Sequence, residues 1–242
     1  MALFGLVRAD NLADVTDRER TWDNIGVNIE SELDLNNLYN AIGFPMAGGY
    51  FAGYISHTAN GVPTHALIVA PRATGATGTG YTLTTNLQWK TTNTTTAGTG
   101  SPFDGAANTA AMVTAGIADH PAAQFCVNLS IGGFTDWYLP ARYELDIAYF
   151  NLKPSTDANS TSWGTNIYAV PQRNINWTTT YPAQTALTAF NTNAEAFVAS
   201  NHWSSSEGSA SFGWLVNFSS GRQTTGSKPT GYRVRAFRRI AL

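Results

Sequence analysis

Apolar residues along this chain fall into short groups, and their spacing changes from one part of the sequence to the next. "YFAGYIS" (Tyr50 to Ser56) and "THALIVAP" (Thr64 to Pro71) are compact apolar runs closed by Gly, Asn or Pro. They predict two strands, and the Asn60-Gly61 pair between them is a hairpin signal. The middle of the chain is helical in pattern. In "PARYELDIAYFNL", Leu145, Ala148, Tyr149 and Leu152 recur at i, i+3, i+4 and i+7, one buried face of a helix that starts after Pro140. The Ala-rich stretch "NTAAMVTAGIADHPAAQFCVNL" predicts another helical region, with Asp119 capping a second turn opened by Pro121.

Further on the helical period is lost. Residues 153–200 carry Asn, Thr and Ser with scattered Trp163, Tyr168, Trp177 and Phe190, and predict long irregular loops. The period then drops to two. Trp214, Val216 and Phe218 alternate in "GWLVNF", and Tyr232, Val234 and Ala236 alternate against Arg233, Arg235 and Phe237 in "GYRVRAFRRI". Strands, two helices, long loops and closing strands make an α+β domain.

Composition sharpens this outline. Hydrophobic residues are 43% of 242, enough for a core, whereas charged residues are only 12%. Hydroxyls and amides must therefore do most of the solvating. A net charge of -2 argues against a general nucleic-acid partner. A single cysteine, Cys126, excludes an intramolecular disulfide and reads as a small buried side chain. No apolar run reaches transmembrane length, and the start has no basic leader, so neither membrane insertion nor a signal peptide is expected.

Charge is unevenly spread. Eight of the 16 acidic residues precede residue 35, where Leu12, Val15, Trp22 and Ile25 stand as isolated apolar anchors in polar sequence. Residues 1–37 read as an extended arm that packs on a partner, and 38–242 as the domain it carries. Arg222, Lys228, Arg233, Arg235, Arg238 and Arg239 make the C-terminus basic and are expected to face solvent from strand edges.

Three sets of residues offer candidate chemistry. Gly75, Gly78 and Gly80 are not followed by Gly-Lys-Ser/Thr, so a Thr/Gly-rich surface loop is expected there, not a phosphate loop. "HWSSSE" (His202 to Glu207) puts a histidine beside three serines, but no nucleophile elbow surrounds them. Their expected role is structural, the hydroxyls satisfying backbone groups. Calcium needs clustered carboxylates, and Asp104, Asp157 and Glu207 are isolated in sequence. No metal, cofactor or catalytic residue is assigned.

"NLSIGGFTDWYLPARYEL", "HWSSSE", "GWLVNFSSG" and a terminal "YRVRAFR" resemble, in order and spacing, the Lcl C-terminal domain family, and "FDGAANTAAM" resembles that family's first helix. The resemblance covers about residues 40 to 242. It implies a C-type-lectin-like fold with two helices, short antiparallel strands and long loops. It makes Asp136, Trp137, Leu139, Pro140, Trp203, Ser204, Ser205, Trp214 and Asn217 the fold signature. Loops and the last strands would then bind, with Glu207, Ser209, Ser211, Phe212, Arg222, Thr224, Thr225 and Ser227 as candidates. "DNLADVTDRERTWDNIGVNI" is similar to segments of phage tail-fibre-like proteins.

Together these imply a non-enzymatic phage virion protein of the tail-fibre or host-adhesion apparatus. Its arm would dock on other virion proteins, and its head would bind a host-surface glycan or protein. A homo-oligomer, such as a trimer, is expected. The rivals are a capsid decoration protein and a receptor-binding protein diversified by a retroelement.

Overall fold

The structure, a computed structural model, describes residues 42–77, 85–192 and 194–242. The docking-arm residues Leu12, Val15, Trp22 and Ile25, the boundary at residue 37, and Gly78 and Gly80 lie outside the described residues.

The two apolar runs pair as expected. Strands β2 (Gly49–Ile55) and β3 (His65–Val69) form an antiparallel hairpin, with a bulge between Phe51 and Gly53. The loop between them is longer than a two-residue turn. Asn60 Oδ1 accepts from Val62 N at 3.0 Å and from the Ser56 hydroxyl at 3.1 Å. Strand β1 (Pro45–Met46) and strand β5 (Ala169–Val170) also pair with β2, and β10 (Phe237–Ala241) completes the sheet beside β3.

The other pairings are β4 (Leu87–Gln88) with β9 (Gly231–Tyr232), and a meander of β6 (Asn201–Glu207), β7 (Phe212–Asn217) and β8 (Gln223–Ser227). Every pair of these strands is antiparallel.

Five helices occur among the described residues: α1 (Arg72–Gly75), α2 (Gly105–Gly116), α3 (Pro121–Val127), α4 (Arg142–Leu152) and α5 (Thr188–Asn191). The expected first helical region is α2 and α3 joined by a 3-10 turn over Ile117–Asp119. Asp119 does not cap α3. His120 occupies that position, its ring meeting Gly116 O at 2.9 Å and the Thr96 hydroxyl at 2.8 Å. Asp104 caps α2 instead, accepting from Ala107 N at 2.8 Å. The expected face of α4 is correct, since Leu145, Ala148, Tyr149 and Leu152 are all buried, as are Glu144, Asp146 and Ile147.

The β2–β3–β10 sheet divides two apolar clusters. Phe51, Tyr54, Ala66 and Ile68 belong to one, with Trp137, Leu139, Trp203, Val234 and Ala236. Ala52, Ile55, Leu67 and Val69 belong to the other, with Leu145, Tyr149, Val216, Phe218 and Phe237. Burial on both faces is why β2 and β3 are continuous apolar runs and not alternating ones. It also corrects the terminal strand. Arg235 and Arg238 are buried, and β10 begins only at Phe237.

Four of the C-terminal cations are paired with carboxylates. Arg235 reaches Glu195 at 2.9 Å, and Arg238 grips Asp136 through two nitrogens at 2.8 and 3.0 Å. Arg239 donates to Asp104 at 2.6 Å, and buried Lys228 pairs with Glu207. Of the six C-terminal cations expected to face solvent, Arg222 is the exposed one.

Candidate ligand-binding site

The residues singled out at "DWYLP" and "HWSSSE" meet in the fold. Ser205 N donates to Pro140 O at 2.7 Å, and Arg142 N donates to the Ser206 hydroxyl at 3.1 Å. The Ser206 hydroxyl donates in turn to Ser101 O at 2.8 Å, and the Ser204 hydroxyl to Trp214 O at 3.0 Å. Ser205 Oγ accepts from Asn108 at 3.2 Å. The hydroxyls thus serve main-chain and amide groups that would otherwise be buried unpaired.

His202 stands apart from the serines. Its Nδ1 meets Ser200 O at 3.1 Å, and its ring packs against Phe197 and Phe218. Burial pushes its pKa down to about 3, so it is a neutral, packed imidazole. The signature residues Trp137 and Trp203 are buried, and Trp89 packs in the same cluster. Trp89 and Trp203 donate indole N–H groups to Ser204 O and Leu87 O, tying β4 to β6. Trp214 behaves differently: it is only half-buried.

The signature residue Asn217 ends β7 and folds the chain back. Its Oδ1 accepts from Ser219 N at 2.9 Å and Ser220 N at 3.2 Å, and its Nδ2 donates to Asn201 at 2.9 Å. Gly221 follows with φ +67, and a Cβ there would come 2.1 Å from the Trp177 ring and 2.4 Å from the Tyr149 ring. Only glycine fits this turn. The turn delivers Arg222 and the start of β8 to one wall of an open pocket of about 540 Å³.

Ser160, Ser162 and Trp163 supply the opposite wall, Trp214 reaches in from β7, and Gln223, Thr224 and Thr225 continue the first wall. Trp163 and Trp214 meet edge to face with centroids 6.4 Å apart, and the Arg142 guanidinium lies 4.3 Å over the Trp214 ring. Of the candidates, Arg222, Thr224 and Thr225 come together here.

The other five lie elsewhere. Ser209 and Ser211 sit in the tight turn from β6 to β7, and exposed Phe212 pairs with Ser227 at the far end of β8. Ser227 lies two strand residues beyond Thr225, about 7 Å past the last lining residue of β8. Glu207 is engaged with Lys228 and accepts from Thr96 N at 2.9 Å and the Thr99 hydroxyl at 3.4 Å, clamping the 90–99 strap. Sequence reasoning missed Ser160, Ser162 and Gln223. Trp163 had been noted only as a scattered aromatic, a large apolar ring in a polar stretch.

The 153–185 segment has one two-residue strand, yet it is firmly wired to α4. Asp146, fully buried, accepts from Asn166 Nδ2 at 2.7 Å, from Gln223 Nε2 at 3.3 Å and from Arg173. Lys153 donates to Asp157 O at 2.6 Å and to Asn159 Oδ1 at 2.8 Å, and Tyr149 donates to the same oxygen at 2.5 Å. Ser160 N reaches the Asn217–Gly221 turn through Ser220 O at 2.8 Å. Asp146 therefore holds both pocket walls, the loop through Asn166 and Arg173 and the strand through Gln223. Burial lowers the pKa of Lys153 and raises that of Tyr149, while both keep hydrogen-bond partners.

Elsewhere, Glu144 is buried against Tyr138 and Ala141 N, and burial raises its pKa to about 8, so at neutral pH it holds its proton. Cys126 is buried and its thiol is pushed up by desolvation, in line with the inert role expected. Among the described residues, no helix is long and apolar enough to cross a membrane, and no group of three His, Cys, Asp or Glu is arranged to hold a metal ion.

The family model described as Lcl C-terminal domain matches residues 78–238. That span includes every pocket residue and both ends of the Asp136–Arg238 pair. No curated protein matches the chain.

Proposed function

The chain belongs to the Lcl C-terminal domain family, and from that premise we propose that it is a non-enzymatic phage virion protein of the tail-fibre or host-adhesion apparatus. In this reading the head has a C-type-lectin-like fold and binds a host-surface glycan or protein. Residues 1–37 dock it on other virion proteins, and the chain acts as a homo-oligomer, such as a trimer. It is made in the host cytoplasm and released by lysis.

The observation that carries the reading is the open pocket where Trp163, Trp214, Arg222 and Thr224 converge on rigid supports. Such a concave site, with aromatic walls and a few polar groups, is the general form of a binding site. "HWSSSE" supports the non-enzymatic part, because its histidine packs on phenylalanines and its hydroxyls are engaged with main-chain and amide groups. Display of several heads would strengthen weak contacts by raising effective concentration.

The test is to label purified particles with an antibody against Ser200–Gly221 and count copies by quantitative mass spectrometry. Label at a fibre or tail tip in low copy is expected. Label over the shell at high copy would make it a decoration protein instead. Absence of the peptide from particles would overturn the virion reading. A template repeat and a reverse-transcriptase gene beside the coding sequence would point to the retroelement-diversified alternative.

A further inference from the structure

We infer that the pocket between the 160–163 loop and the start of β8 is a metal-independent subsite for one uncharged pyranose ring. The inference rests on the reading of the head as a binding module and names what this site takes.

The volume of about 540 Å³ falls within the roughly 300–1,000 Å³ common for small-molecule sites. Its walls combine two indoles with the side chains of Ser160, Ser162, Thr224 and Thr225. A pyranose has an apolar C–H face that suits an indole and a rim of hydroxyls that both donate and accept. Serine and threonine hydroxyls have the same dual capacity. Arg222 is exposed and takes part in none of the ion pairs among the described residues, leaving its guanidinium donors for ring hydroxyls.

Carboxylate bookkeeping removes the cation-mediated route. Residues 42–242 contain eight acidic side chains. Five are bound to Arg or Lys: Asp104, Asp136, Asp146, Glu195 and Glu207. Glu144 is buried on Tyr138. Among the described residues only Asp119 and Asp157 remain, and none of the described acidic residues lines the pocket. Sugar recognition through calcium needs clustered oxygen ligands, and this pocket has no carboxylate to supply. Recognition therefore runs through indole, hydroxyl and guanidinium groups.

The experiment is a binding screen of the full 242-residue chain on methyl hexopyranosides, N-acetylhexosamines and uronic acids, with titration calorimetry on the hits. It is run in calcium, in excess EDTA and at raised salt. A neutral pyranose is expected to bind equally well in all three. Trp163→Ala is expected to weaken binding on the order of 10-fold with the melting temperature held near that of the parent. Should Trp163→Ala unfold the chain, Arg222→Ala and Thr224→Ala, both at the rim, carry the same test with a smaller loss. Loss of binding in EDTA, a preference for uronic acids that salt abolishes, or indifference to all three substitutions would overturn the subsite. If no sugar binds but the purified chain still blocks particle adsorption to cells, the subsite fails and the attachment reading stands. If neither occurs, both fail.

Discussion

Leu145 and Asp146 are neighbours on α4, and they anchor two regions built on opposite principles. Leu145 belongs to an apolar cluster with Leu67, Val69 and Phe237 from the β2–β3–β10 sheet. There the main chain is satisfied by strand pairing, and stability comes from apolar area removed from water. Asp146 turns to the 153–185 segment, where ladders are nearly absent, and to Gln223 at the start of β8. Order there comes from the buried polar side chains of Asp146 and Tyr149 on α4 and of Lys153 just past its end, each bonded to loop groups. An apolar contact tolerates a lost methylene at graded cost. A buried polar clasp tolerates little, because each group left unpaired carries its full desolvation penalty.

The largest expected effect follows from removing the clasp. Asp146→Ala strips the carboxylate from Arg173, Asn166 and Gln223, and breaking a buried pair of this kind costs about 3–5 kcal/mol. Hydrogen exchange should rise first across 159–185, while β2 and β3 keep their protection. Equal loosening throughout would contradict the division into two regions. Leu145→Ala tests the other side. It should cost about 2–5 kcal/mol in denaturant melts, with no preferential opening of the 153–185 segment.

Gly221 lies where the two regions touch. Gly221→Ala forces a methyl toward Trp177 and Tyr149 at positive φ, at an expected cost of about 1–3 kcal/mol. A melting temperature equal to the parent's would mean that the turn is far softer than its geometry implies.

Titration separates buried groups in another way. The folded-state pKa of His202 is depressed to about 3 from 6.5. Between these values the unfolded chain binds a proton that the folded chain does not. Stability therefore falls as pH drops through that window, by up to about 1.4 kcal/mol per pH unit. Glu144 has the opposite sign. Its folded pKa is raised to about 8 from 4.5, so its contribution is present at low pH and is lost as pH rises between those values. Denaturant melts from pH 4 to pH 8 should show His202→Gln flattening the acid side and Glu144→Gln flattening the alkaline side. The smallest effect belongs to the pocket rim, where Thr224→Ala should change stability by no more than about 0.5 kcal/mol.

The legibility of the sequence follows the same division. The strands over Tyr50–Ser56 and Thr64–Pro71 and the buried face of α4 were readable because apolar periodicity records burial directly. The family motifs were readable as well, and their physical reasons emerged as shared contacts, such as Ser205 N on Pro140 O and Arg238 on Asp136. Three of eight proposed binding residues reached the pocket. Glu207 was a binding candidate because the resemblance assigns binding to loops and the last strands, but nothing in the sequence ties it to Lys228.

By itself, then, the sequence determined the α+β class, the family and the elements whose apolar spacing announces them. Tertiary structure alone decided that Arg235 and Arg238 pair inside the fold, that His120 replaces Asp119 at the start of α3, and that Trp163 packs edge to face on Trp214 in the lining of a pocket. The reason is physical. Apolar burial leaves a local repeat in the chain, whereas a buried polar contact joins residues such as Asp146 and Gln223, 77 positions apart, and leaves no repeat at either end.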